Sequence, residues 1–351
     1  IAIAAAVAAP SAFAAATVYG VAHMSVDAVQ NEKGATTADN GSVTNVASNS
    51  SRLGIKGSED LGAGLKAVYQ FETTIALDGE STTGGWGGQR NSYAGLAGSF
   101  GTVMLGIHDT PFKLVGRKYD MFGDQIGDMR NLTAGAGTGS AGFDLRPSNV
   151  VAYASPTFGG VSAMLAYAAD EKNSTNNAAA ADKNAYSASV GYKAGKFGAD
   201  LAYENHAKGW TTDASKEMTG VRLGASYDFG TVKLQGFYAN QDSYVAANTI
   251  KTRNIYGIGA SMKVTAAGTI KAQVGMAEKV SGTTSTGANM YAVGYDHAMS
   301  KNTTVYAAYA MVDNEANGTF TVNGGGGHGD ASTVNAGKDP SVFSVGLIHK
   351  F

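Results

Sequence analysis

The sequence predicts an all-β fold, on the basis of its composition, its residue alternation and the spacing of its turns. Of the 351 residues, 48 are Gly, only 5 are Pro and none is Cys. Residue types that favour strands and turns are abundant, whereas the helix formers Glu, Lys and Leu are sparse. A chain without Cys cannot form disulfides, so its stability must come from backbone pairing and burial.

Several segments alternate apolar and polar side chains with a period of two, as half-buried strands do. In the segment RLGIK, Leu53 and Ile55 share one face, while Arg52 and Lys56 share the other. The segment LKAVYQFE repeats the pattern and places Lys66 on the polar face. A soluble sandwich gives the same alternation, so this pattern alone leaves open whether the apolar face contacts a core or lipid.

Short and long connections alternate along the chain, and their order separates these two architectures. Short turns are predicted at residues 57–63, 98–101, 155–160, 193–198, 227–231, 264–269 and 298–303. Longer polar loops are predicted at residues 31–42, 78–86, 109–146, 171–183, 208–216, 243–251, 280–288 and 314–340. Seven turns and eight loops imply sixteen strands, and this order is typical of bacterial outer-membrane barrels. The sequence therefore predicts a sixteen-stranded antiparallel transmembrane β-barrel over residues 17–351.

Four of the short turns contain a Phe-Gly pair, beginning at Phe100, Phe158, Phe197 and Phe229. We expect Gly to supply a positive φ in each turn and Phe to lie in an aromatic girdle at one membrane interface. Packing of the same Phe residues onto a soluble core is the alternative interpretation.

The first residues have the pattern of a truncated secretory signal peptide. Residues 1–16, IAIAAAVAAPSAFAAA, are apolar, contain Pro10 and end in small residues. No later stretch has the roughly 18 continuous apolar residues that a membrane helix needs. We therefore expect residues 1–16 to be excluded from the fold and the rest to form a single domain.

The connection at residues 109–146 is long and unusually apolar for a loop, and long loops in compact folds are often functional. Its aromatic and aliphatic side chains predict that it packs against the inner wall of the barrel. Asp120, Asp124 and Asp128 are spaced by four residues, which would place them on one side of a short helix. A solvated acidic helix face accounts for that spacing equally well.

Three arginines are expected to point into the lumen, because their apolar neighbours would face lipid. Arg52 alternates with the apolar residues of its strand, and Arg90 is opposed to Tyr93. In the same way, Arg146 is opposed to Val151. An unpaired Arg on the lipid face would cost roughly 2–4 kcal/mol at the bilayer midplane, so the inward orientation is favoured. The alternative is ordinary surface charge on a soluble sheet.

Four segments resemble the trimeric general porins of Gram-negative outer membranes: SSRLGIKGSEDLGAGLKAVYQFE, RNSYAGLAGSFGTVMLGIHDTPFKL, FDLRPSNVVAYASPTFGG and FSVGLIHKF. The resemblance covers essentially all of the mature chain and implies a water-filled pore narrowed by the third external loop. It implies that Arg52, Arg90 and Arg146 form a basic cluster on the pore wall. It also implies that acidic groups of the loop face this cluster, with the candidates Asp109, Asp120, Asp124 and Asp128. Lys56 and Lys66 are expected to face the lumen as well.

The resemblance further implies a homotrimer embedded in outer-membrane lipid and lipopolysaccharide. Phe351 resembles the carboxy-terminal phenylalanine of the family, which implies an insertion signal for the outer-membrane assembly machinery. Ile107 and Ile348 stand where related sequences often carry a basic residue. A strong anion preference is therefore not expected.

The expected function is passive, weakly selective diffusion of ions and small hydrophilic solutes through a charged constriction. A formal net charge of −2 and scattered basic residues argue against a nucleic-acid partner. The six His residues fall in no nucleophile-elbow or metal-spaced motif, so no enzyme, cofactor or metal site is expected. Two alternatives are a plugged outer-membrane barrel that acts as an adhesin or surface antigen, and a soluble secreted protein.

Overall fold

The computed structural model describes residues 16–31, 41–79, 86–134, 142–170, 184–207, 217–246, 249–324, 328–330 and 334–351. Within these ranges, eighteen strand segments form one antiparallel sheet, and β1 (Thr17–Asn31) pairs with β18 (Ser341–Lys350) to close it into a cylinder. The predicted signal peptide lies outside the described residues except for Ala16. That assignment and the domain bounds stay predictions.

The other strand segments are β2 Gly41–Ser48, β3 Arg52–Gly62, β4 Leu65–Ile75, β5 Trp86–Gln89, β6 Ser92–Gly98, β7 Gly101–Ile107, β8 Val150–Ala154, β9 Val161–Ala168, β10 Ala185–Ala194, β11 Phe197–His206, β12 Met218–Asp228, β13 Val232–Ala246, β14 Thr249–Lys263, β15 Gly268–Ala277, β16 Ala288–Ala298 and β17 Thr303–Asn314. The described helices are α1 Pro111–Lys118 and α2 Arg130–Thr133, both in the connection from β7 to β8. Neither helix is long and apolar enough to cross a bilayer.

The eighteen segments make sixteen barrel strands. Both β2 and β3 pair with β1, and both β5 and β6 pair with β4, so each couple is one strand with a short interruption. The interruptions lie at residues 49–51 and 90–91. The predicted closed barrel of 16 antiparallel strands is thereby confirmed.

The seven short turns predicted from the sequence all join neighbouring strands. Two boundaries were wrong. The turn predicted at residues 57–63 comes later, because β3 continues to Gly62. The loop predicted at residues 243–251 is shorter, because β13 extends to Ala246 and β14 begins at Thr249. In both places the strands continue further than the sequence suggested.

The strands are apolar on the outside and polar on the inside, as in a membrane barrel. On β1, Val18 and Val26 are more than half exposed, whereas His23, Ser25 and Asp27 are buried. This is the reverse of a soluble protein, in which the apolar side chains of a strand face the core. The polar faces of the strands therefore line the interior of the cylinder.

The Phe residues of the four Phe-Gly turns are all exposed. The glycine has a positive φ at Gly101, Gly159 and Gly230, as predicted. The prediction was wrong at Gly198, which lies in β11, because Gly195 supplies the positive φ of that turn. The aromatic side chains thus share one end of the barrel with the tight turns.

Candidate pore constriction

Helix α1 begins the long connection between β7 and β8 and packs against β10, β11 and β12. Thr110 caps it by accepting a hydrogen bond from the backbone N–H of Lys113 at 3.3 Å, and Pro111 occupies the first turn. Phe112 and Val115 are buried between the helix and the wall. The apolar residues of the loop therefore form an internal core with the inward faces of the strands.

Arg222 of β12 anchors both ends of the connection. Its guanidinium donates to Asp144 at 2.7 Å and to the Phe112 carbonyl at 3.2 Å, and lies 4.1 Å from the centre of the Phe112 ring. Asp144 also accepts a hydrogen bond from Thr133 at 2.6 Å. Since Arg222 and Asp144 are fully buried, this contact is structural and not open to the pore.

Asp120, one of the four candidate acidic residues, folds the loop onto itself. Its carboxylate accepts hydrogen bonds from the backbone N–H groups of Phe122 at 2.8 Å and Met129 at 3.0 Å. A third bond comes from the Gln273 side chain of β15 at 3.0 Å. These donors occupy both carboxylate oxygens, so Asp120 is bound within the loop and to the opposite wall.

Asp128 is also an internal residue of the loop. It is 1% exposed and lies 2.5 Å from Nη2 of Arg130. It also accepts hydrogen bonds from the backbone N–H groups of Arg130 at 2.7 Å and Asp124 at 2.9 Å. Burial lowers the pKa of Arg130, but Asp128 and Asp124 outweigh it and raise that pKa. The predicted acidic stripe therefore does not form, because the spacing of four is not realised as a helix.

Asp124 is the acidic residue of the loop that approaches Arg52 on the wall. Its carboxylate lies 2.9 Å from Arg117, 2.7 Å from Arg130 and 3.9 Å from Arg52 of β3. It has a φ of 62°, in the left-handed region that residues other than Gly seldom adopt. Burial raises the pKa of Asp124, but Arg117 and Arg130 outweigh it and hold the pKa well below its usual range. Asp124 is therefore a permanently charged carboxylate at physiological pH.

Glu72 of β4 lies between two of the predicted wall arginines. It accepts a hydrogen bond from Arg90 at 2.6 Å and one from the Tyr19 hydroxyl at 2.8 Å, and lies 3.9 Å from Arg52. Arg52 thus has a carboxylate at the same distance on the wall and on the loop. Residues of β1, β3 and β4 and the interruption after β5 build this part of the wall.

Asp109, the first of the acidic candidates, pairs with the third arginine. It lies 2.9 Å from Arg146 and 2.8 Å from Lys113. Burial raises the pKa of Asp109, but Lys113 and Arg146 outweigh it and lower the pKa to about 2. This ion pair joins the two ends of the loop next to the wall.

Arg90 faces the lumen, but the argument from sequence, which opposed it to a lipid-facing Tyr93, was wrong. Tyr93 pairs with Gln70, which lies two residues from Glu72 on the same face of β4. Tyr93 is therefore also on the lumen side and cannot mark the lipid face. The interruption at residues 90–91 resets the alternation, so Arg90 and Tyr93 both point inward.

Lys56 and Lys66 are on the same face as Glu72. Lys56 pairs with Gln70, and its Nζ lies 4.9 Å from the centre of the Tyr19 ring. Lys66 pairs with Asp60 next to the tight turn between β3 and β4. Both lysines thus lie on the lumen side, between the arginines and the short-turn end.

Residues 2–317 match the family described as Gram-negative porin. The chain belongs to this family. Outer membrane porin protein 32 of Delftia acidovorans is 33% identical over 360 residues, with 100% of this chain and 98% of the relative covered. The anion-selective porin from Comamonas acidovorans superposes with a TM-score of 0.81 at 29% identity, covering 96% of this chain and 100% of the other. OmpT of Vibrio cholerae shares the fold, with a TM-score of 0.70, 16% identity, and 96% and 97% coverage.

This porin is accordingly an outer-membrane β-barrel that forms a channel, as predicted, and it is not an enzyme. The candidate constriction differs from the sequence-based expectation in the charges of the loop. Arg117 and Arg130 surround Asp124, and neither was among the candidates. Within residues 109–134 the four Asp are balanced by Lys113, Arg117, Lys118 and Arg130, so this part of the loop is neutral and not acidic.

Among the overlooked residues near Arg52, Glu72 could have been found from sequence. Glu72 alternates with the lipid-facing Phe71 on β4, the strand that follows the one carrying Arg52. Pairing of these two neighbouring strands would have placed Glu72 beside the arginines. No periodicity predicts the direction of Arg117 or Arg130, because it depends on how an irregular loop packs.

Proposed function

We propose that this porin is narrowed where the loop at residues 109–146 approaches Arg52, Arg90 and Arg146, and that anions pass this point somewhat more readily than cations. The observation that carries the proposal is the exposure of the charged groups. The side chains of Arg117 and Arg52 are 27% and 23% exposed, whereas Asp124 and Glu72 are 13% and 9% exposed. A passing ion therefore meets guanidinium groups more often than carboxylates.

The mechanism follows from groups that are fixed before the ion arrives. Guanidinium groups are weakly hydrated and present several N–H donors, so they can replace part of the water around an anion or a carboxylate-bearing solute. Arg52 and Asp124 face one another across the wall and loop and produce a local transverse field. A dipolar hydrophilic solute can align with that field, whereas an apolar solute would displace ordered water without compensation.

The anion preference is expected to be modest. Each exposed guanidinium has a carboxylate nearby, and Arg52 has two at 3.9 Å. Ile348 lies on the lumen side of β18 beside the inner core and adds no charge. The similarity to a porin described as anion-selective supports the sign of the preference, and the paired carboxylates limit its size.

We further propose that this porin assembles as a homotrimer in outer-membrane lipid and lipopolysaccharide, and that the assembly machinery reads Phe351 as an insertion signal. One solved structure of Vibrio cholerae OmpT, with 18% identity and a TM-score of 0.69, is described as a trimer form. Migration of the unheated protein at three times the mass of the heated protein supports a trimer. A monomer band without heating contradicts it.

Planar-bilayer recording in a salt gradient tests the proposed selectivity. The purified porin is expected to insert into the bilayer in discrete conductance steps. In a KCl gradient, the reversal potential is expected to have the sign that shows chloride to be more permeant than potassium. A reversal potential at zero or with the sign for potassium would overturn the anion preference. Protein that gives no steps and no swelling of proteoliposomes would favour a plugged barrel.

A further inference from the structure

A second connection also enters the barrel, between β17 and β18. In its described part, Phe320, Val322 and Asn323 are fully buried. Asn314 at the end of β17 holds this connection inward by donating to the carbonyls of Phe320 at 3.0 Å and Lys338 at 2.6 Å. Although Gly and polar residues predominate here, the segment is packed inside the protein.

The buried segment contacts the loop at residues 109–146 directly. The carbonyl of Val322 accepts a hydrogen bond from the backbone N–H of Gly127 at 2.8 Å. The same carbonyl accepts a second bond from the side chain of Asn131 at 3.0 Å. Gly127 is three residues from Asp124, so these contacts hold the part of the loop that carries its wall-facing carboxylate.

The same connection is fastened to the wall a few residues later. Gly329 donates its backbone N–H to the Asn49 side chain at 2.9 Å. His328 lies 3.0 Å from the carboxylate of Asp27 on β1, and the two side chains are 1% and 0% exposed. Asn49 belongs to the interruption that directly precedes Arg52. The connection between β17 and β18 therefore contacts both the loop that carries Asp124 and the part of the wall that carries Arg52.

We infer that residues 320–323 and 328–330, termed the clasp, fix the position of the constriction loop relative to Arg52. The inference rests on the proposed function of that loop. The Val322 carbonyl holds the loop, and the contact between His328 and Asp27 holds the clasp to the wall. Replacing either partner of that contact leaves the other buried without it, which favours release of the clasp.

The clasp can be tested by thiol accessibility, because the chain contains no Cys. A Val322→Cys variant keeps the backbone carbonyl and places a single thiol at a fully buried position. An Ala316→Cys variant places the thiol at an exposed position of the same connection and is the matched control. We expect a polar maleimide to label the Val322→Cys protein at least about tenfold more slowly than the control, since labelling requires local opening.

His328→Gln or Asp27→Asn, each combined with Val322→Cys, is expected to raise the labelling rate by about tenfold or more. The variant that carries both substitutions is expected to be labelled more slowly than either single variant, because the two neutral amide side chains can hydrogen-bond to each other. In single channels, either substitution should increase current fluctuations. Heat-dependent gel migration first shows that each variant is folded.

Equal labelling of Val322→Cys and Ala316→Cys in the otherwise unaltered chain would overturn the clasp. Unchanged labelling in both folded single variants would overturn the role of His328 and Asp27. A failure of the proposed function is distinguishable from a failure of the clasp. If the constriction is assigned wrongly, neutral substitutions at Arg52 and Arg117 leave the reversal potential unchanged, whereas thiol labelling still measures whether the clasp is closed.

Discussion

The guanidinium of Arg52, on the barrel wall, lies 3.9 Å from the carboxylate of Asp124, on the inward loop. Arg117 and Arg130 approach the same carboxylate from the loop side. Three guanidinium groups thus lie within 3.9 Å of one carboxylate, and those of Arg52 and Arg117 keep part of their surface in contact with solvent. If the proposed function is right, the charge of this carboxylate limits the anion preference at this point.

Asp124→Asn is expected to increase the anion preference. The substitution removes one negative charge and leaves Arg52 and Arg117 less offset. A unit charge at about 5 Å contributes roughly 1 kcal/mol in a water-like dielectric, which corresponds to a several-fold change in permeability ratio. The reversal potential in a KCl gradient measures this change. Glu59→Gln, in the exposed end of β3, is the control and should leave the value unaltered; a shift of Asp124→Asn toward potassium would contradict the proposal.

Neutralising the arginines one at a time should shift the reversal potential toward cations in the order of their exposure. The side chains of Arg117 and Arg52 are 27% and 23% exposed, whereas Arg90 is 10% exposed and bound to Glu72. We therefore expect Arg117→Gln and Arg52→Gln to have larger effects than Arg90→Gln. An effect of Arg90→Gln that exceeds both would show that ions reach the wall behind Arg52.

The architecture could be predicted because it depends on local patterns. Alternation, tight turns and the order of short and long connections are properties of neighbouring residues, and they define sixteen strands without any distant contact. The approach failed where the alternation is interrupted, as between Arg90 and Tyr93. One extra residue that breaks the alternation within a strand moves every following side chain to the other face of the sheet. Nothing in the sequence marks where such a break occurs.

The electrostatics of the constriction could be predicted only in part. The structure brings Arg52 close to Asp124 and Arg146 close to Asp109, two of the four acidic candidates, and their role in the pore stays a prediction. Asp120 instead binds backbone N–H groups of the loop, because an irregular segment inside a barrel must satisfy its own buried donors. Such a role depends on tertiary packing, so spacing along the chain does not reveal it.

Glu72→Gln is expected to increase the anion preference in the same direction as Asp124→Asn. The substitution leaves Arg90 without its carboxylate at 2.6 Å and Arg52 with only Asp124 nearby. The reversal potential again measures the effect. Because Glu72 and Asp124 lie on opposite sides of Arg52, the two substitutions together should produce a larger shift than either alone. A double variant that matches one of the single variants would show that only one of the two carboxylates faces the ion path.

Asp109 should stabilise the folded porin over a pH range set by its lowered pKa. The pKa falls from 3.8 to about 2, which corresponds to roughly 2 kcal/mol. A lowered carboxyl pKa gives stability that is fully present above the unfolded value and is lost as pH falls through the folded value. Thermal unfolding of the wild type and Asp109→Asn should therefore differ by a constant amount above about pH 5, and the difference should shrink between pH 4 and pH 2. A difference that grows with acidity would contradict the ion pair with Lys113 and Arg146.

Phe351 and Gly20 join the last and first strands, and their contact predicts an assembly defect when Phe351 is deleted. The Gly20 N–H donates to the Phe351 carbonyl at 2.9 Å, and the Phe351 N–H donates back at 3.2 Å. A Cβ on Gly20 would clash with the Phe351 ring, so the aromatic ring covers this glycine at the seam. Deletion removes both hydrogen bonds and the ring, and should lower the yield of folded protein in the outer membrane while channels that do form keep their conductance.

Phe343→Leu is the matched control, because Phe343 is 49% exposed on β18 and Phe351 is 55% exposed beyond its end. Normal yield after the deletion, or an equal loss in Phe343→Leu, would show that the terminal ring has no special part in closing or inserting the barrel.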